Sequence, residues 1–191
     1  MVSSKPLSDG FGVEVAGVDL SALSPRAFAD IERAFYDHQV LTVRAQDLTP
    51  AQFVAWARRF GPPQPHVIDQ FHHPDDANIL ILSNVKKDGQ PTGLQDAGTY
   101  FHTDYSYLQV PARATTLYSR VVPKVGGDTL FANQQAAYDD LPAAMKKRIE
   151  PLVAIHHYGN RNDQDEGSRT VASVLTAGQK AEFERMVDGY A

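Results

Sequence analysis

Apolar positions recur along this chain with two different periods. Val13, Val15 and Val18, flanked by glycines, read as a first strand and turn. Ser24-Pro25 is a helix start, a capping residue followed by a first-turn proline. Phe28, Ile31, Ala34 and Phe35 then fall on one helical face, and Val40 to Val43 reads as a strand. Thr49-Pro50 repeats the helix start. Phe53, Trp56, Ala57 and Phe60 form a second apolar stripe, which Gly61-Pro62-Pro63 ends. Residues 62–77 hold four prolines and little periodicity, so they read as a loop. Ile79 to Leu82 reads as a buried strand and Lys86 to Gly89 as a turn. Further strands are predicted at 99–107, 114–122, 128–132 and 152–157, with a short helical stretch around Ala136, Ala137 and Tyr138. Residues 159–170 are polar, and Thr176 caps a last helix bearing Phe183, Met186 and Val187. Early helices followed by many strands predict one α+β, mainly β domain over 1–191, an antiparallel sandwich or barrel with the helices packed outside.

Composition narrows the partners. With 191 residues, 42% of them hydrophobic, the chain is long enough to bury a core. A net charge of −5, with no basic cluster interleaved with aromatics, argues against nucleic acid and acidic membranes as partners. No run of eighteen apolar residues is present, and the polar start lacks a signal-peptide core. The expected location is the cytoplasm, which the absence of cysteine fits. Without cysteine a metal site must use histidine and carboxylate, which suits iron, manganese or zinc.

The most informative stretch is Gly98-Thr-Tyr-Phe-His-Thr-Asp-Tyr-Ser-Tyr107. In a strand, His102 and Asp104 would leave the same face about 7 Å apart along the backbone and could close on one metal ion. They would be two members of a 2-His-1-carboxylate triad. The bare pattern is weak, because 7 histidines in a chain with this many aspartates give roughly 0.6 such pairs by chance. A second one, His73-Pro74-Asp75, has a loop composition and reads as solvated. His102 and Asp104 differ in their downstream neighbours: a strand-like run from Pro111 to Tyr118, then Pro123-Lys-Val-Gly-Gly-Asp-Thr-Leu-Phe-Ala-Asn133.

That order resembles the taurine dioxygenase family of Fe(II)/2-oxoglutarate-dependent dioxygenases. The resemblance runs from about Leu7 to at least Asn160. It includes Gly10 to Leu20, His38 to Arg44, Leu48-Thr-Pro-Ala-Gln52, Phe60-Gly61, Phe101-His-Thr-Asp104 and Gly126-Gly-Asp-Thr-Leu130. It implies a double-stranded β-helix, or jelly roll, with Fe(II) held by His102 and Asp104. It further implies 2-oxoglutarate and O2 as co-substrates, Thr129 holding the 2-oxoglutarate carboxylate remote from the metal, and His66 contacting substrate. Gly98 stands where taurine dioxygenase has a substrate-binding Asn, and Asp69 where it has a Tyr. A small organic acid other than taurine is therefore the expected substrate. Tyr100, Tyr105 and Tyr107 read equally well as packing or as substrate contacts.

The resemblance also implies what the chain does not supply. The family's distal metal histidine and its 2-oxoglutarate-binding arginine come about 150 or more residues after the metal motif, whereas this chain ends 87 residues after Asp104. His156 and His157 are the later histidines, and Leu152-Val-Ala-Ile-His-His-Tyr158 looks like a family strand whose histidine is not the ligand. Arg161 and Arg169 lie in the polar loop and match no oxoglutarate arginine. The chain reads as the N-terminal two-thirds of such a domain, with an incomplete jelly roll whose exposed edges oligomerisation would cover. Three functions are compatible with this: an oxygenase hydroxylating a small organic acid, a catalytically incomplete binding or assembly module, and, less well, a metal hydrolase or isomerase. Gly126-Gly-Asp-Thr129 counts against the third.

Overall fold

The computed structural model describes residues 2–8, 11–66, 68–95, 97–98, 101–156, 176–178 and 181. The chain forms two compact units, Met1–Trp56 with Arg120–Leu152, and Ala57–Ser119 with Val153–Ala191.

In the first unit, strands β1 (Ser3–Pro6), β2 (Val13–Ala16) and β3 (Leu41–Val43) form one sheet in that order. β1 runs antiparallel to β2, and β3 runs parallel to it, with Val13 opposite Leu41 and Val15 opposite Val43. A parallel neighbour needs a crossover, and helix α1 (Pro25–His38) supplies it. The period of two holds in β2, where Val13 and Val15 are buried and Glu14 is not. Ser24 caps α1 by accepting the Ala27 N–H at 3.2 Å, with Pro25 in the first turn. Gln39 ends the helix in the left-handed region at φ 66°, its N–H reaching the Phe35 carbonyl. Helix α2 (Pro50–Ala57) starts with a reciprocal cap. The Gln52 N–H donates to Thr49 Oγ1 at 3.3 Å, and the Thr49 N–H donates to Gln52 Oε1 at 2.9 Å. Phe28 and Trp56 meet edge to face, ring centroids 6.0 Å apart, in a core shared with Ile31, Leu48 and Val54. Helices α3 (Gln134–Asp139) and α4 (Ala143–Ile149) also belong to this unit and bury none of their residues.

The second unit buries Phe60 and Ile68. Strands β4 (His72–His73) and β5 (Asp76–Leu80) pair antiparallel. The hairpin of β6 (Lys86–Lys87) and β7 (Gln90–Pro91) turns through Asp88-Gly89, both at positive φ, as a two-residue hairpin loop requires. Among the described residues no helix is long and apolar enough to cross a membrane.

Several predicted strands do not form. Phe101 to Tyr107 is irregular and then a turn, with Tyr105 at φ 55°. Residues 114–122, 128–132 and 152–156 carry no ladder. A strand exists only where a second segment takes up its backbone N–H and C=O groups, and none of these runs pairs with another described segment. Their apolar side chains face solvent instead: Val121 is 89% exposed, Leu130 72%, Val153 86% and Ile155 89%. The described residues form three small sheets of three, two and two strands. Thr99, Tyr100, His157, the polar loop 159–170 with Arg161 and Arg169, and all of the predicted last helix except residues 176–178 and 181 lie outside the described residues.

Candidate metal centre

His102 and Asp104 do converge, through a turn instead of a strand. His102 Nε2 lies 3.1 Å from Asp104 Oδ1, with both side chains about 40% exposed (40% and 41%). Thr115 Oγ1 donates to the other oxygen, Oδ2, at 2.7 Å. Gly98, at φ 75°, brings backbone against the imidazole, and a Cβ there would sit 3.5 Å from His102 Cε1.

Tyr105 follows the aspartate directly, and its left-handed backbone turns the chain sharply. Its ring meets His66 edge to face at 6.5 Å and Tyr107 at a tilt at 5.8 Å. Burial pushes the Tyr105 phenol up to about 12, and the Asp104 carboxylate adds to the shift, so the ring stays a neutral O–H. His66 is half-buried. Burial holds its imidazole below the ordinary histidine range and the neighbouring His72 lowers it further, while Asp104 opposes both. Its hydrogen bonds agree: His66 Nδ1 accepts the Ile68 N–H at 3.1 Å, the arrangement of a neutral ring. His72 Nε2 donates to the His66 carbonyl at 2.8 Å.

Thr129 lies in the first unit, exposed on a stretch without ladder pairing, after Gly126 and Gly127 at φ 74° and 77°. At Gly127 a Cβ would meet Pro123 Cγ at 2.9 Å, so the turn needs glycine. Asp69 opens a single exposed 3-10 turn. His156 is exposed, and among the described residues no three His, Cys, Asp or Glu side chains could hold one metal ion. The decoy pair is looser: His73 Nδ1 and Asp75 Oδ2 are 3.9 Å apart, with the carboxylate 73% exposed.

The sequence profile of the taurine catabolism dioxygenase TauD, TfdA family matches residues 3–185. This chain belongs to that family. It is 34% identical over 164 residues to the (S)-phenoxypropionate/alpha-ketoglutarate-dioxygenase of Sphingobium herbicidovorans, covering 80% of this chain and 53% of the relative. It is 35% identical over 167 residues to the alpha-ketoglutarate-dependent 2,4-dichlorophenoxyacetate dioxygenase of Cupriavidus pinatubonensis, covering 82% and 58%. A crystal structure of a taurine dioxygenase from Burkholderia xenovorans matches 99% of this chain and 72% of its own, with a TM-score of 0.62 at 26% identity. The chain spans about half the length of the curated relatives it matches.

Two donor atoms of such a family member fit a divalent cation here. Imidazole and carboxylate bind first-row divalent ions at about 2.0–2.2 Å, so two of them at right angles stand about 3 Å apart. The observed 3.1 Å matches that separation. Sequence reasoning missed Thr115 as a partner of Asp104. Eleven residues separate them, a spacing that belongs to no local periodicity, and a threonine in an apolar run reads as β-propensity alone.

Proposed function

We propose that this chain supplies the His-x-Asp face of an Fe(II)- and 2-oxoglutarate-dependent oxygenase that hydroxylates a small organic acid other than taurine. The observation that carries the reading is the convergence of His102 Nε2 and Asp104 Oδ1 to 3.1 Å within a family of such dioxygenases. Bound iron would supply the oxygen chemistry, in which 2-oxoglutarate and O2 become succinate and CO2 while the substrate gains a hydroxyl. His102 and Asp104 would hold it through neutral imidazole and carboxylate. Thr129 would donate its hydroxyl to the 2-oxoglutarate carboxylate remote from the metal. His66, neutral and backed by Tyr105, would contact substrate through Nε2–H. Gly98 places no side chain beside His102, and the relatives named for phenoxypropionate and dichlorophenoxyacetate favour an aryloxy acid within the substrate class.

The second reading for residues 1–191 is a catalytically incomplete binding or assembly module of the same family, which would bind metal weakly and not turn over. Mn(II), a redox-stable probe for Fe(II), tests the ligand assignment. His102→Ala and Asp104→Ala should each abolish uptake, whereas His73→Ala and Asp75→Ala should leave it unchanged. Equal loss in all four, or in none, would remove the assignment. Succinate release measured with Fe(II), ascorbate and aryloxy, sulfonate and aliphatic acids should be absent for residues 1–191. Coupled turnover that depends on His102 would overturn the second reading, and strong stimulation by taurine would overturn the substrate class.

A further inference from the structure

We propose that Thr115 is a positioning residue for the Asp104 carboxylate: its hydroxyl occupies Oδ2 and leaves Oδ1, beside His102 Nε2, as the oxygen presented to a divalent cation. This rests on the reading of His102 and Asp104 as metal ligands. An aspartate has two equivalent oxygens and a broad, two-fold terminal torsion, so an unsupported side chain offers either oxygen, or both. Asp104 is 41% exposed and sits in a turn, so neither burial nor a strand ladder fixes that torsion. The 2.7 Å bond from Thr115 Oγ1 to Oδ2 does, since it distinguishes the two oxygens. A hydroxyl donating to an ionised carboxylate makes a short, charge-assisted bond of this kind. The other oxygen is then directed at the imidazole, at the separation two cis ligands need. Threonine suits the task because its β-branch restricts χ1, so the hydroxyl is held in few orientations. Partners that orient ligating side chains in this way change metal affinity by about 10–100-fold when removed.

The test is Mn(II) titration of the full chain, with free Mn(II) followed by its EPR signal. Thr115→Val keeps the β-branched shape and loses the donor, and should weaken Mn(II) binding by about tenfold. Thr115→Ser restores the donor and should bind within about twofold of the parent. Both variants should melt, metal-free, at the parent temperature, and the Co(II) visible spectrum should change in the valine variant and return in the serine one. The positioning role is overturned if Thr115→Val binds Mn(II) as the parent does, or if Thr115→Ser falls as far as the valine variant. Failure of the underlying ligand reading looks different. There the parent takes up no Mn(II), or His102→Ala binds as well as the parent, and the role of Thr115 falls with it.

Discussion

At Asp104 one carboxylate serves two neighbours, His102 through Oδ1 and Thr115 through Oδ2, while the next residue adopts a backbone that side chains rarely take. A left-handed tyrosine costs roughly 1–3 kcal/mol, and such residues cluster at functional sites. Here the turn sets the Tyr105 ring against His66. His66 provides a pH test. Its folded-state pKa lies below the ordinary value of about 6.5, chiefly through burial. For a group so depressed the unfolded chain binds the proton first as pH falls. The stability it contributes is complete above about 6.5 and is lost as pH falls through the folded-state value. Urea midpoints of the metal-free chain should therefore fall on acidification from pH 8 to 5, and less steeply in His66→Gln. Identical slopes in the two proteins would show that His66 is not the responsible group. The pairing at this site was legible in the sequence because two residues within one turn cannot be far apart whatever the backbone does. The contacts of Thr115 and Tyr105 were not, since one depends on a residue eleven positions away and the other on a single backbone dihedral.

At the scale of elements, helices α1 and α2 follow from local signals. Ser24-Pro25 and Thr49-Pro50 mark the starts, and the structure satisfies both caps. Ser24→Ala should cost about 1 kcal/mol in urea unfolding with the slope unchanged. Ile31→Ala, at a position 0% exposed, should cost about 2–5 kcal/mol. Thr42 in β3 is the reverse case, because its hydroxyl is buried and has no partner among the described residues. Thr42→Val keeps the shape and removes the unmet polar group, and should raise stability by about 1 kcal/mol. A loss of stability on that change would mean the hydroxyl is satisfied after all. The Asp88-Gly89 hairpin was equally readable, since few residue pairs accept two successive positive φ angles.

At the scale of the whole molecule, the second half of the chain displays apolar side chains that nothing described covers, from Val110 through Val121, Val125 and Leu130 to Val153 and Ile155. Exposed apolar surface of this kind drives association. We expect concentration-dependent self-association in sedimentation velocity, reduced by the double change Val121→Lys and Val125→Lys, without loss of thermal stability. A monodisperse monomer at all concentrations would contradict this. The sequence by itself determined helices α1 and α2, their caps, the first sheet's alternation and the His-x-Asp pair, because each is settled by residues within about a turn of one another. Only the tertiary structure decided which apolar runs become strands and which groups surround the pair. A helix satisfies its own backbone, but a strand borrows its hydrogen bonds from a segment that local pattern does not name. Runs such as 114–122 carry the composition of a strand and none of its ladder, and Thr115 within that run meets Asp104 through side-chain chemistry instead.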